Sequence, residues 1–428
     1  MREMKDSGIE WIGAIPKDWK LTQARRLFNN KKEIVGDDVD KYERLALTLN
    51  GVIKRSKEDS EGLQPEKFEG YQILRKNNLV FKMIDLENVN TSRVGLSPYT
   101  GLVSPAYIVF SNNRDDNRYQ YYWFMSMYYH EVFNHLGGDG VRSALNAKDM
   151  LSLPIPNIPE SEQARIANYL DKKCAKIDAI IEKQQEIIEK LKEYKLSVIT
   201  EAVTKGVNPD VEMKDSGVES IGFVPKEWKI CRLRNIGVPQ NGISKGGEFF
   251  GSGDPFVSYG DVYKNYSLPN CIEGLIQSTE DEKEKYSVEE GDIFFTRTSE
   301  TIDEVGFSCV CEKTIPNATF AGFLIRIRPF NNSLFTGFAK YYFRSNHHRK
   351  YYAKEMNLVT RASLGQDLLK SVPVLLPPNE EQRFIAEYLD KKCAQIEHMI
   401  KNKEILIQRL SEYKKSLIYE VVTGKKEV

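Results

Sequence analysis

The sequence predicts an α+β protein: two similar mixed α/β domains separated by two long helices that pair antiparallel as a coiled coil. Three observations carry that expectation. The segment MKDSGIEWIGAIPKDWK at 4–20 returns as MKDSGVESIGFVPKEWK at 213–229, identical at twelve of seventeen positions and 209 residues later. EQARIANYLDKKCAKIDAIIEKQQEIIEKLKEYKLSVITEAVT at 162–204 returns as EQRFIAEYLDKKCAQIEHMIKNKEILIQRLSEYKKSLIYEVVT at 381–423, 219 residues later. Between these copies lie two stretches, about 21–141 and 230–360, that share little sequence. Two repeats are too few for a solenoid, so one duplicated frame holds two divergent inserts. The resulting division is a first domain over 1–157, a first helix over 158–206, a second domain over 207–376 that includes a linker at 207–220, and a second helix over 377–428.

The inserts keep a common skeleton. Tyr122-Trp123-Phe124 corresponds to Tyr341-Tyr342-Phe343, and Arg142 to Arg361, at the same spacing of 219. Arg93-Val94-Gly95-Leu96-Ser97 corresponds to Glu304-Val305-Gly306-Phe307-Ser308 at 211, so the second insert has gained length. Such change between retained elements is how loops vary on one fold. Alternating or β-branched runs at 102–110, 291–298 and 321–329 predict strands. Each insert is expected to close with an aromatic helix, near 118–136 and 336–355, whose aromatic stripe faces the core.

The helices follow from heptads. Steps of four and three from Leu170 reach Cys174, Ile177, Ile181, Gln184, Ile188, Leu191, Lys195, Val198 and Ala202; from Leu389 they reach Cys393, Ile396, Ile400, Lys403, Ile407, Leu410, Lys414, Leu417 and Val421. An apolar seam sustained over four to five heptads predicts a coiled coil. Its seam is Leu170, Ile177, Ile181, Ile188 and Leu191 against Leu389, Ile396, Ile400, Ile407 and Leu410. Pro377-Pro378-Asn379 followed by Gln382 predicts a capping box at the second start. Neither helix meets a glycine before Gly206 and Gly424. About 43 residues at 1.5 Å make a rod of roughly 65 Å, and the near twofold repeat, with a globular insert between successive rods, favours the antiparallel arrangement.

Composition bounds the chemistry. The 428 residues carry 61 basic and 61 acidic side chains, with 41% hydrophobic and 29% charged. The start MREMKDSG lacks the apolar stretch of a leader, and no run approaches about 18 apolar residues, so a cytoplasmic protein without a membrane span is expected. Six cysteines in this length do not form a disulfide framework. There is no Walker loop, and Gly251-Ser252-Gly253 stands alone. Asp210 and Glu212-Met213-Lys214 only superficially match a nuclease pattern. Cys309 and Cys311 have no nearby histidines and suggest buried thiols rather than a metal site.

Local cationic clusters remain as candidates for phosphate or base contact, because guanidinium and ammonium groups release counterions from DNA and arginine pairs with guanine edges. Lys54, Arg55 and Lys57 follow an Asn50-Gly51 turn; Arg297 and Thr298, and Thr360-Arg361 ahead of Ala362-Ser363, pair arginine with hydroxyls; Arg349 and Lys350 lie in the acid-free run from Arg344 to Lys354. Arg93, Arg142 and Lys245 complete the candidate DNA-binding residues.

The opening segments IGAIPKDWK (12–20) and IGFVPKEWK (221–229), with the runs EQARIANYLDKK (162–173) and EQRFIAEYLDKK (381–392), make the chain resemble the specificity (S) subunit of type I restriction-modification systems over nearly its whole length. The resemblance implies that each insert is a target recognition domain reading one half of a bipartite, asymmetric site in double-stranded DNA. It implies that the helices set the spacer and dock two methyltransferase (M) subunits, which modify adenine, and that two motor-nuclease (R) subunits join for cleavage. This chain then binds no cofactor and catalyses nothing; S-adenosylmethionine, ATP and Mg are expected on the partners. On this reading, changing one helical turn near Thr204 or Thr423 alters the spacer and leaves both half-sites intact. The alternative from the residues alone is a non-catalytic coiled-coil scaffold that does not read DNA.

Overall fold

The two copies of the opening segment fold into the same hairpin. Met4–Asp6 pairs with Ala14–Pro16 in the register Met4 to Pro16, and Met213–Asp215 pairs with Phe223–Pro225 in the register Met213 to Pro225. The next strand of each copy, Lys20–Gln23 or Lys229–Arg232, runs antiparallel to the strand that precedes each long helix, Pro154–Asn157 or Pro373–Leu376. The start and end of each insert are thereby stitched together, which explains how the intervening sequence diverges without disturbing the frame. Trp19 and Trp228, at the same place in the two hairpins, are buried.

The computed structural model describes residues 2–49, 51–58, 67–83, 93–136, 144–299, 305–355 and 362–428. The chain divides into two compact units, Met1–Gln184 with Glu404–Val428, and Gln185–Lys403. Both divisions fall inside the long helices, Glu160–Lys205 and Asn379–Val422. Each unit therefore combines one insert with the first part of its own following helix and the last part of the other. In the first unit Leu170, Cys174 and Ile177 share a core with Leu417, Ile418 and Val421. In the second, Ile199, Ala202 and Val203 share a core with Ile385, Leu389 and Cys393. Within each unit the start of one helix meets the end of the other, so the pair is antiparallel.

Each insert is built on two small sheets. The first has a four-stranded sheet in the order Gly51–Arg55, Arg44–Thr48, Gly101–Val103, Gln72–Leu74, and a three-stranded one in the order Ile108–Phe110, Leu79–Phe81, Val94–Leu96. The second has a four-stranded sheet in the order Gly237–Asn241, Leu324–Pro329, Ile293–Thr296, Ser308–Val310, and a three-stranded one centred on Phe250–Val257. The run at 102–110 is not one strand. It turns at Ser104–Tyr107, where the Tyr107 N–H donates to Ser104 O and Pro105 has no N–H for a ladder, and its halves enter different sheets.

The aromatic helices are also broken. Arg118–Tyr129 and Val132–Leu136 are separated at Glu131, which has φ +55°; Thr336–Tyr342 and Asn346–Glu355 are separated by a turn in which Ser345 Oγ donates to Tyr342 O. Tyr119, Trp123, Phe124, Met127, Phe338 and Tyr342 are buried, so the stripe forms core rather than a stacking platform. The capping box at Asn379 is replaced by a different arrangement. Gln382 is buried and donates to Pro377 O and Ser333 O while accepting from the Phe335 N–H. Gln163, its counterpart, donates to Ile158 O. A buried amide satisfied on both sides ties the insert to the helix start more firmly than a solvent-facing cap.

Two reciprocal ion pairs link the helices. Lys195 meets Glu397 at 2.5 Å in the second unit, and Lys414 meets Asp178 at 2.6 Å in the first. Both lysines lie on the heptad seam, where a polar residue specifies register and orientation. Placing glutamate at Lys195 is expected to destabilise the second unit by roughly 1 kcal/mol through like-charge contact, and the exchange K195E/E397K to recover most of it. Urea unfolding of the two singles and the double measures the coupling; additive effects would remove the pair from the account.

Candidate nucleic-acid interface

Each insert is held to its helix by matched contacts. Tyr122 Oη donates to Asp171 and Tyr341 Oη to Asp390, both at 2.7 Å. Burial first, and then these carboxylates, push both phenols up, so each remains a donor at any working pH. Trp123 Nε1 donates to Pro154 O and Tyr342 Oη to Pro373 O, at 2.9 and 3.0 Å. A cation joins each carboxylate, Arg118 on Asp171 and Lys340 on Asp390. Each insert is thus tied to the start of its own helix.

In the first unit, Lys54, Arg55 and Lys57 lie on and just beyond the strand Gly51–Arg55, whose partner places Arg44 opposite Arg55. With Lys41, Asp40, Glu43 and Glu58 they line an open concavity of about 580 Å³. Lys54 reaches Glu43 at 2.5 Å and lies 5.2 Å from the Tyr99 ring; the hydrogen bond to Glu43 raises its pKa. Lys57 donates to Val39 O and stands 3.9 Å from Asp40. Lys54 is exposed and Arg55 and Lys57 are half-buried, with acids among them.

Arg93 is elsewhere. It is 1% exposed and donates to Asn134, so its place is the domain interior and not a DNA-facing surface. Lys245 is mostly covered, donating to Gln277 O at 2.7 Å and Glu282 at 2.6 Å, which makes it a tie within the second insert. Of the acid-free run from Arg344, Lys350 is exposed while His347 and His348 are buried with ring centroids 3.8 Å apart. Arg344 points inward as well: its guanidinium donates to Ser308 O, Val262 O, Tyr263 O and Asn265 O, and burial lowers its pKa. Carbonyls therefore engage the first cation of this run, and Lys350 is the exposed candidate among its described residues. Arg142, Arg361 and the side chain of Arg349 lie outside the described residues.

Arg297 and Thr298 emerge at the end of the strand Ile293–Thr296, with Thr298 paired to Ser363. Arg297 is exposed, unlike Arg326 and Arg328 of the same sheet, which are engaged by Gln240, Ser287, Glu289 and Asp292. The seam positions behave uniformly. Leu170, Ile177, Ile188, Leu389 and Ile396 are buried, and Ile181, Leu191, Ile400, Ile407 and Leu410 are half-buried. Cys309 and Cys311 are buried with thiols pushed up by desolvation, and among the described residues no cluster of metal-ligating side chains occurs. No helix among them is long and apolar enough to cross a membrane.

The fold and this site define an internally duplicated scaffold presenting two different surfaces. A family profile described as the type I restriction modification DNA specificity domain matches residues 20–195 and again 225–406. The chain belongs to that family. It is 23% identical, over 97% of its length and 95% of the relative's, to the putative type I restriction enzyme MjaX specificity subunit of Methanocaldococcus jannaschii. It is 24% identical, over 76% of its length and 68% of the relative's, to the type I restriction enzyme EcoKI specificity subunit of Escherichia coli K12. Its fold is similar to a solved chain from work on complex assembly and conformational transition of the type I R-M system, with a TM-score of 0.70 at 16% identity over 95% of this chain and 98% of that one.

Proposed function

We propose that the chain is the specificity subunit of a type I restriction-modification complex in which each insert reads one half of a bipartite, asymmetric DNA site. The observation that carries this reading is the contrast between the two levels of the molecule. Anchors at Tyr122/Tyr341, Asp171/Asp390 and Gln163/Gln382 recur residue for residue, whereas the inserts between them share little sequence and the cationic cluster at Lys54–Lys57 belongs to the first. One frame with two unlike surfaces suits two unlike half-sites. The helix pair then sets the spacer.

The same frame suits two copies of one partner. Tyr194, Ser197 and Glu201 of the first helix recur as Tyr413, Ser416 and Glu420 of the second, and the tyrosines are 55% and 51% exposed. Exposed tyrosines are the residue type enriched at protein interfaces. Two methyltransferase subunits carrying S-adenosylmethionine, which modify adenine, are the proposed occupants; two motor-nuclease subunits using ATP and Mg join them, and the complex works in the cytoplasm.

Coexpression with the methyltransferase in a methylation-free host, followed by mapping of modified adenines, tests this. The expected result is one asymmetric motif with a fixed spacer and one modified adenine on each strand. Replacing residues 230–360 with the equivalent insert of a relative is expected to change only one half of that motif. Transfer of both halves, or of neither, would overturn the assignment of one insert to one half-site.

A further inference from the structure

We infer that Phe323, flanked by Arg297, is a base-contacting wedge of the second insert; the inference rests on the reading that this insert meets DNA. The ring is 66% exposed, with Phe223, Phe330 and Phe384 at 63%, 62% and 58%, so exposure alone does not single it out. Its backbone is nevertheless held on every side. The Gly322 N–H donates to Ile243 O at 2.7 Å, the Leu324 N–H to Ala321 O at 2.9 Å, and Phe323 O accepts the Arg297 N–H at 3.0 Å. Gly322 lets the turn approach closely: a Cβ there would stand 3.0 Å from Ile243 O. An exposed ring on a pinned turn is presented at little entropic cost, as a contact residue needs to be.

The register fixes what stands beside it. Thr296 pairs with Leu324, and both are buried. Just beyond this last pair, the backbone bond from the Arg297 N–H to Phe323 O sets the two residues next to each other, and both side chains are exposed. The position within the insert matters too. The strand Leu324–Pro329 ends at Phe330, whose N–H donates to Ile236 O near the strand that closes the insert onto its helix. Phe323 lies at the other end, roughly 20 Å away at about 3.3 Å per residue. A cation beside an apolar ring at the far end of a domain matches a nucleic-acid duplex, which offers phosphate and a base step side by side; apolar wedges enter such steps and rings stack on bases.

The equivalent register position of the first insert lacks the ring. In the first, Ile108 pairs with Phe81 as Ile325 pairs with Phe295 in the second. Two residues before Ile108 stands Ala106, which is exposed, where the second insert has Phe323. The wedge is therefore expected to shape one half-site.

The test uses the full-length chain in complex with its methyltransferase partner, comparing the parent with F323A, F323W and R297A. F323A is expected to lower affinity for the cognate duplex about tenfold or more and to admit additional bases in one half of the motif, while F323W retains the parent motif. R297A is expected to weaken binding and reduce the slope of log affinity against log salt by about one. Melting temperatures are expected to stay at the parent value, because the ring contacts water in the free chain. Parent affinity and motif in F323A overturn the inference, as do changes in both halves, a lowered melting temperature, or weakened assembly with an unaltered motif. A parent complex that methylates no motif and binds no duplex fails the underlying reading instead.

Discussion

Trp228→Ala is expected to destabilise the second unit by about 3–5 kcal/mol, the range for truncating a buried tryptophan. The indole is fully covered, and it closes three pieces of the frame at once. It packs below the left-handed turn at Gly206, where φ is +78° and a Cβ would stand 3.5 Å from its Cζ2. Its Nε1 donates to Glu381 at 2.9 Å on the first turn of the second helix, and its carbonyl accepts from Lys214 of the hairpin. Trp228→Phe isolates the hydrogen bond, whose loss to a charged acceptor costs about 1.5–3 kcal/mol. The same change at Trp19 is expected to cost less. Trp19 Nε1 is buried without a hydrogen-bond partner among the described residues, and Glu162, the counterpart of Glu381, is occupied by Arg2 at 2.5 Å. Urea unfolding followed by circular dichroism ranks the variants. Equal losses for W19F and W228F would show that the Glu381 bond contributes nothing.

Lengthening both helices by one heptad, after Gln184 and after Lys403, is expected to widen the spacer of the recognised site without altering either half. Seven residues preserve the seam and add about 10 Å, which corresponds to about three base pairs at the axial spacing of duplex DNA. Insertion into one helix alone breaks the pairing of Lys195 with Glu397 or of Lys414 with Asp178 and is expected to abolish methylation. Mapping modified adenines for the double and single insertions checks both statements. A double insertion that keeps the parent spacer would remove the helices from the role of ruler.

The frame was legible because duplication writes it twice. Twelve shared positions in the opening segment and the aligned heptads of the helices reveal which residues the fold reuses, and the structure puts them in hairpins of equal register and on one seam. The candidate interface was legible only in part. Lys54 and Arg297 are cations in polar surroundings, and a sequence reader finds them as charged residues near turns. Arg93, Lys245 and Arg344 look the same in one dimension, yet their groups are consumed by Asn134, by Glu282 and by a ring of carbonyls. Phe323 was missed for the converse reason: in AGFLIRIRP it reads as one more apolar residue of a strand. Its one signal is the glycine before it, which marks the start of the strand and so the point where alternation can turn a ring outward.

Periodicity and repetition by themselves determined the α+β class, the two inserts and the two long rods, because those follow from local patterns of apolar spacing that need no partner to be recognised; the antiparallel direction was favoured by the repeat and is set by which helix ends share a core. Three features were decided only by tertiary structure. The aromatic helices are interrupted at Glu131 and at Phe343–Ser345. The capping glutamines are buried ties rather than caps. Most importantly, the compact units divide the rods in the middle, because each insert closes its core with the far end of the other helix, through Leu417 and Val421 in one unit and Ile199 and Val203 in the other. Burial of an apolar face depends on which surface arrives opposite it, and that arrival joins residues far apart in the chain.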